Sequence, residues 1–405
     1  MLGDAVPADQ KTTAVTADDL RAQVAAFLAS HDPRDTEPLE FLRARFDAGL
    51  AWVHYPAGLG GQGLSRTLQG VVDREFEAAG APGNHPERNG IGLGMAAPTI
   101  LAHGTPEQQQ RWLRPLWTGE EIWCQLFSEP GAGSDLAGLA TRAIRDGDDW
   151  VVNGQKVWTS SAHMASRALL VARTDPDQPK HNGLTYFALN MKQPGVEVRP
   201  LRQATGEAEF NEVFMTDARV PDADRIGGVG AGWQVSMATL MNERVSIGGN
   251  AMPREGGMIA GPLRTWREHS ELRTAGLHER LLHLWADAEV ARLAGIRLRQ
   301  QLAAGQPGPE GSAAKLVFAL LNQDISEFEV ELSGPDGLLY DDWTMRRPEG
   351  ANFFGRTPGF RFLRAKGNSI EGGTSEILRN IIAERVLGLP KEARVDTGPW
   401  KDLPR

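Results

Sequence analysis

From residue 123 to residue 228 the chain stops reading with a helical period and breaks into short apolar runs punctuated by Gly and Pro. Asp149-Trp150-Val151-Val152 and Gln155-Lys156-Val157-Trp158 flank Asn153-Gly154. Asn-Gly between two apolar runs signals a tight hairpin, because both turn residues take positive φ. The runs Arg167 to Arg173, Leu184 to Met191, Val196 to Leu201 and Glu212 to Val220 continue the strand pattern. A compact antiparallel β unit is expected here.

Helical spacing governs both flanks. Asp18 to Leu28, Leu64 to Ala79 and Thr105 to Trp117 carry apolar residues three and four apart, and Thr105-Pro106 reads as an N-cap followed by Pro at the first helical position. After the β unit, Trp233 to Gly248, His278 to Ala303, Ser312 to Leu332 and Ser375 to Leu387 read the same way, the last closed by Gly388-Leu389-Pro390. Residues 304–311 and 345–360 read as loops, and no internal repeat is visible. The expectation is an α+β fold: an N-terminal α-helical domain over 1–122, a central antiparallel, β-barrel-like domain over 123–228, a C-terminal helical bundle over 229–390, and a tail over 391–405.

Composition removes several function classes. Cys124 is the single cysteine of 405 residues, so neither an internal disulfide nor a multi-thiolate zinc site can form, and no metal site is expected. The net charge of −9, with Lys and Arg interleaved among acids, argues against nucleic acid as a partner. The first residues lack a basic and then apolar leader, and no run approaches the ~18 apolar residues of a membrane span. The expectation is a soluble, cytoplasmic protein that does not enter a membrane.

Gly58-Leu59-Gly60-Gly61-Gln62-Gly63 matches a dinucleotide fingerprint. Its helical surroundings lack the βαβ context that a phosphate loop needs, so it reads as a structural glycine loop, which disfavours a nicotinamide-dependent dehydrogenase. Gln125-Leu126-Phe127-Ser128-Glu129-Pro130-Gly131-Ala132-Gly133-Ser134-Asp135 is more telling. Small residues and hydroxyls after an apolar approach let backbone N–H groups come close to a flat polar ligand or a phosphate.

The segment Ser128 to Asp135 resembles the signature loop of the acyl-CoA dehydrogenases. Lys156-Val157-Trp158-Thr159-Ser160 resembles their second flavin segment, and Gly372-Gly373-Thr374-Ser375-Glu376-Ile377 their C-terminal motif. The three stand in the family's order and spacing, and the resemblance runs from about residue 18 to about 390. It implies an acyl-CoA dehydrogenase-like fold with a four-helix bundle at the C-terminal end, FAD as cofactor and α,β-desaturation of an acyl-CoA thioester. It implies flavin contacts from Gln125, Phe127, Ser128, Gly133, Ser134, Trp158, Thr159, Ser160, Thr374 and Glu376. Ser134, Arg244 and Gly372 would face the substrate, the last through its N–H.

Such chemistry takes the α proton to a carboxylate in a dry pocket. In many family members the base is a Glu directly before the Gly-Thr of the C-terminal motif, and here that position is Gly372. Glu371, one residue earlier, is the second choice. Other members carry a Glu-Arg pair on the first C-terminal helix, matched here by Glu243-Arg244 eleven residues after Gly232-Trp233. Glu243 stands among Met237, Leu240, Met241 and Val245 and is the first choice. The family's Arg-x-x-Phe segment, which reaches a neighbouring subunit's FAD, has no match in Pro262 to Glu268. The resemblance also implies an electron-transfer flavoprotein as electron acceptor and a homotetramer or a heterotetramer. An acyl-CoA oxidase, a flavin monooxygenase of the same fold and a partner subunit of a mixed dehydrogenase are the alternatives. Acyl length and branching stay open, with residues 89–101 expected to line part of the acyl pocket.

Overall fold

The computed structural model describes residues 15–248, 252–303, 309–340, 342–349, 356–394 and 396–403; the side chains of 244–248 and 302–303 lie outside that description. The chain divides into two compact units, residues 1–84 and 85–405.

The first unit holds α1 (Ala17–Ser30), α2 (Pro38–Asp47) and α3 (Gln69–Ala78). A reciprocal cap between Thr16 and Asp19 starts α1. Leu20, Val24, Phe41 and Phe76 form its core, with Phe27 and Phe76 edge-on to Phe41 at 5.3 and 5.9 Å. The loop Gly58 to Gly63 belongs to this unit and is structural. A β-carbon on Gly61 would lie 2.2 Å from the carbonyl oxygens of Trp52 and Tyr55. The glycine there allows the chain to fold onto its own backbone.

The second unit opens with α4 (Pro86–Ile91), a π-helical turn at Gly92–Ala96, α5 (Ala97–His103) and α6 (Pro106–Thr118). Thr105 caps α6 as its sequence requires, with Gln108 completing the reciprocal cap. Eight strands follow: β1 (Trp123–Leu126), β2 (Arg142–Asp146), β3 (Asp149–Ser160), β4 (Arg167–Arg173), β5 (Leu184–Asn190), β6 (Val196–Pro200), β7 (Phe210–Pro221) and β8 (Arg225–Ile226). They form one sheet in the order β6-β7-β3-β2-β4-β5-β8, with β1 added alongside β4. The interior of β4 and almost all of β5 are buried, as fully apolar runs such as Leu169-Leu170-Val171 require.

Two expectations need correction. The sheet is not wholly antiparallel: β1 runs parallel to β4, and β2 meets β4 in parallel through Arg142 and Arg173. Nor does Asn153-Gly154 form a hairpin turn. The chain reverses at Gly147-Asp148, and Asn153-Gly154 lies inside the twelve-residue β3 at a bulge against β7. The Asn153 amide exchanges two 3.0 Å hydrogen bonds with Asp217, which takes the left-handed backbone (φ 51°). A β-carbon on Gly154 would sit 2.3 Å from Thr141 Oγ1. Close strand approach, not positive φ, is what this glycine serves.

The helices after the sheet are α7 (Gly232–Gly248), α8 (Ala260–Glu268), α9 (Ala275–Ala303), α10 (Gly311–Leu332), α11 (Pro358–Ala365) and α12 (Ser375–Ile381), the last extended by a π turn to Val386. The loop expected over 345–360 gives way to α11 from Pro358, and residues 350–355 lie outside the described residues. The expected tail is docked: Trp400 Nε1 donates to Gly138 O at 3.1 Å. Among the described residues no helix is long and apolar enough to cross a membrane.

Candidate active site

Two of the motif segments are tied together by buried polar bonds. Lys156, fully buried on β3, donates to Glu129 Oε1 at 2.8 Å and to Phe127 O at 2.9 Å. Glu129 also accepts the amides of Ala140 (2.7 Å) and Thr141 (2.9 Å). Burial alone would raise its carboxyl, but the Lys156 charge and these bonds outweigh that and hold it below the usual carboxylate range. The Val157 amide donates to Ser128 O at 2.9 Å. The loop after β1 therefore lies against the end of β3.

At that end the β3–β7 register shifts between Lys156 and Thr159, and Trp158 takes a left-handed backbone with φ 60°. Its ring is edge-on to Phe210 at 5.9 Å, and the residue is 58 % exposed. A bulky residue at positive φ is a strained arrangement that the surrounding bonds must hold in place. Trp158 and Ser160 line a cavity of about 1780 Å³. Thr159 does not: it is 1 % exposed, and its hydroxyl is buried without a hydrogen-bond partner among the described residues.

From the C-terminal side, Lys315 on α10 donates to Asn368 O (2.8 Å) and Gly373 O (2.7 Å). It thereby fixes the loop before α12. Gly372 and Gly373 both take positive φ, 63° and 98°, and turn the chain so that Thr374 caps α12 through the Ile377 amide. Gly372, Gly373 and Thr374 line the cavity. Glu376 is directed away, 77 % exposed and 3.6 Å from Arg379.

The third wall is α7. Its start is pressed against β5, where a β-carbon on Gly232 would fall 2.7 Å from Thr185 Cα. Thr239 is held by Tyr186 of β5 (2.9 Å) and Thr99 of α5 (3.0 Å). That anchoring aims Trp233, Met237, Leu240 and Glu243, one helical stripe, into the cavity, with Glu243 half-buried. The Arg244 side chain lies outside the described residues.

Glu371 also reaches the cavity but is held by neighbours. Arg364 forks onto it at 3.1 and 2.9 Å, and Asn368 Nδ2 donates at 2.6 Å. The same guanidinium stands 3.4 Å from Glu209, whose carboxyl burial pushes up against the pull of Arg364. Of the residues named from sequence, Gln125, Phe127, Ser128, Gly133, Ser134, Trp158, Ser160, Glu243, Glu371, Gly372 and Thr374 converge on one cavity, while Thr159 and Glu376 do not. Gly90, Ile91 and Met95 of the 89–101 segment line it too. Sequence reasoning missed Glu209, Arg364 and Lys315, which carry no local motif. Among the described residues no cluster of His, Cys, Asp or Glu could hold a metal.

The N-terminal, middle and C-terminal domains of acyl-CoA dehydrogenase match residues 8–120, 124–218 and 230–387. The chain is 40% identical over 377 residues to the acyl-CoA dehydrogenase FadE34 of Mycobacterium tuberculosis, covering 92% of this chain but 49% of that protein, so it spans about half of that relative's length. It is 39% identical over 392 residues to the acyl-CoA dehydrogenase IpdE1 of the same organism, covering 93% and 96%. Among solved structures, the Tcur3481-Tcur3483 steroid ACAD superposes with a TM-score of 0.71 at 25% identity, over 93% of this chain and 98% of that one.

Proposed function

The chain belongs to the acyl-CoA dehydrogenase family of oxidoreductases, whose cofactor is FAD, and from that membership we propose that it desaturates an acyl-CoA thioester with Glu243 as the base. One observation carries the reading. The α7 stripe brings Glu243 into the same cavity as Trp158, Ser160 and the Gly372–Thr374 turn, flanked by Met237 and Leu240.

The site fits a flavin dinucleotide. Trp158 offers an exposed aromatic face, β-carbons on Gly131 and Gly133 would meet nothing within 4 Å, and the Ser375 hydroxyl beside Thr374 is buried without a partner among the described residues. Gln125, Phe127, Ser128, Gly133, Trp158, Ser160 and Thr374 would hold it; the side chains of Thr159 and Glu376 would not. Bound FAD would supply the acceptor for the hydride leaving the β carbon. Glu243 takes the α proton, and its apolar neighbours keep water from competing for that proton. The Gly372 N–H hydrogen-bonds the thioester oxygen and stabilises the charge that develops there. Ser134 meets the substrate from the loop after β1.

A bulky acyl group is the substrate class we favour. The Tcur3481-Tcur3483 structure, which superposes over nearly the whole chain, is described as a steroid ACAD. We further propose an electron-transfer flavoprotein as acceptor and a tetramer of one or two kinds of chain. Apolar faces on α9 (Leu282, Val290, Leu293) and α10 (Val317, Leu320) stand 40–64% exposed and would be covered in such an assembly.

The test is anaerobic. Acyl-CoA thioesters of differing bulk are added to the FAD-loaded protein and to its Glu243→Gln variant. The wild type bleaches with one substrate class. The variant keeps the oxidised-flavin spectrum, and its bleaching rate falls about 10²–10⁴-fold, the usual worth of a general base. Bleaching of the variant at the wild-type rate would move the base elsewhere.

A further inference from the structure

The last residues form a strap on the sheet unit. The Trp400 and Lys401 amides donate to Gln178 O (2.9 Å) and Pro176 O (3.1 Å), and Pro399 bridges to Pro179. The Arg173 guanidinium lies 4.2 Å from the Trp400 ring centre, and Trp400 Nε1 holds Gly138 O. Lys180 joins the strap at Asp396 to the cavity loop at Asp135. Aromatic, cation–π, backbone and ionic bonds in one place show a segment built to stay docked.

The strap borders a groove of about 390 Å³ lined by Pro179, His181, Asn182, Trp233, Arg394, Asp396 and Thr397. His181 and Trp233, edge to face at 4.7 Å, also line the main cavity. The groove thus adjoins the end of the cavity where Ser134 and Asp135 lie. Arg394 bonds Asp396 through Nε at 2.8 Å, and its terminal nitrogens have no protein partner among the described residues. A guanidinium beside two aromatic rings suits a phosphate joined to a purine.

We propose that Arg394 and residues 396–403 complete a subsite for the nucleotide end of a CoA thioester, with Arg394 on a phosphate and the His181–Trp233 pair against the base. The subsite rests on the reading of the substrate as a CoA thioester. It makes the C-terminal strap part of substrate selection: a thioester without the nucleotide loses these bonds.

Binding of adenosine 3′,5′-bisphosphate is measured by calorimetry, and flavin bleaching is compared for one acyl group carried on CoA and on pantetheine. In Arg394→Ala, bisphosphate affinity and the preference for CoA over pantetheine each fall about tenfold, the size of one charged hydrogen bond. Trp400→Ala, which releases the strap, lowers the same preference. Unchanged bisphosphate binding and an unchanged preference in Arg394→Ala overturn the subsite while leaving desaturation standing. Failure of both thioesters to bleach the flavin, with bisphosphate binding still dependent on Arg394, would strike the desaturase reading and spare the subsite.

Discussion

The Val157 amide donates to the Ser128 carbonyl at 2.9 Å, one residue along each segment from the buried Lys156–Glu129 ion pair. Two motifs about thirty residues apart are thereby fixed edge to edge, and the fixture is electrostatic at its centre. Lys156→Met leaves Glu129 buried without its cation, which costs about 3–5 kcal/mol. The denaturant midpoint should drop accordingly, and FAD retention with it. Glu129→Gln combined with Lys156→Met should cost less than the sum of the two single changes, because no lone charge remains buried. A wild-type midpoint in Lys156→Met would mean that the pair does not hold the loop.

Trp158 carries its ring on a left-handed backbone, so its two simplest replacements should separate. Trp158→Gly and Trp158→Ala both lose the exposed aromatic face and should bind FAD more weakly, as measured by flavin fluorescence. The Gly variant should be the more stable of the two by about 1 kcal/mol, because only its backbone takes positive φ without strain. Equal stability would contradict the strain.

Glu371→Gln removes the carboxylate fork under Arg364 and leaves Glu243 in place. The expected result is a stability loss of about 1 kcal/mol, modest for a part-exposed charged bond, with anaerobic bleaching still within about tenfold of wild type, far short of a lost general base. A loss of bleaching as deep as that of Glu243→Gln would make Glu371 the base.

His54, in the first unit, is held near a pKa of about 4 by burial, aided by the Arg66 charge. Its Nδ1 is buried without a partner among the described residues. The unfolded chain takes up this proton near pH 6.5 and the folded chain only near 4. The stability it contributes is complete above pH 6.5 and is lost as pH falls from 6.5 towards 4. His54→Gln should flatten that part of the melting-temperature profile relative to wild type. Parallel profiles in the two proteins would refute the assignment.

What was legible in the sequence was local. Thr105-Pro106 capped its helix because a cap needs only its own first turn, and the three motif segments could be picked out because each is contiguous. Asn153-Gly154 misled because the same dipeptide serves a turn or a bulge, and pairing with β7, sixty residues away, chose the bulge. Glu209 and Arg364 meet across more than 150 residues, so no spacing rule could have joined them. Thr159 and Glu376 were named from motif membership, yet strand alternation and helix phase turned both away from the cavity.

Gly372 constrains how this site could change over time. At φ 63° the position favours a residue without a β-carbon, and a Glu there would meet about 1–2 kcal/mol of left-handed strain before it could accept a proton. On the assignment proposed for Glu243, a carboxylate moved from α7 to this turn would carry that strain unless the loop were rebuilt with it. The glycine thus acts as a conformational bias, setting this turn against a carboxylate and in favour of the helix.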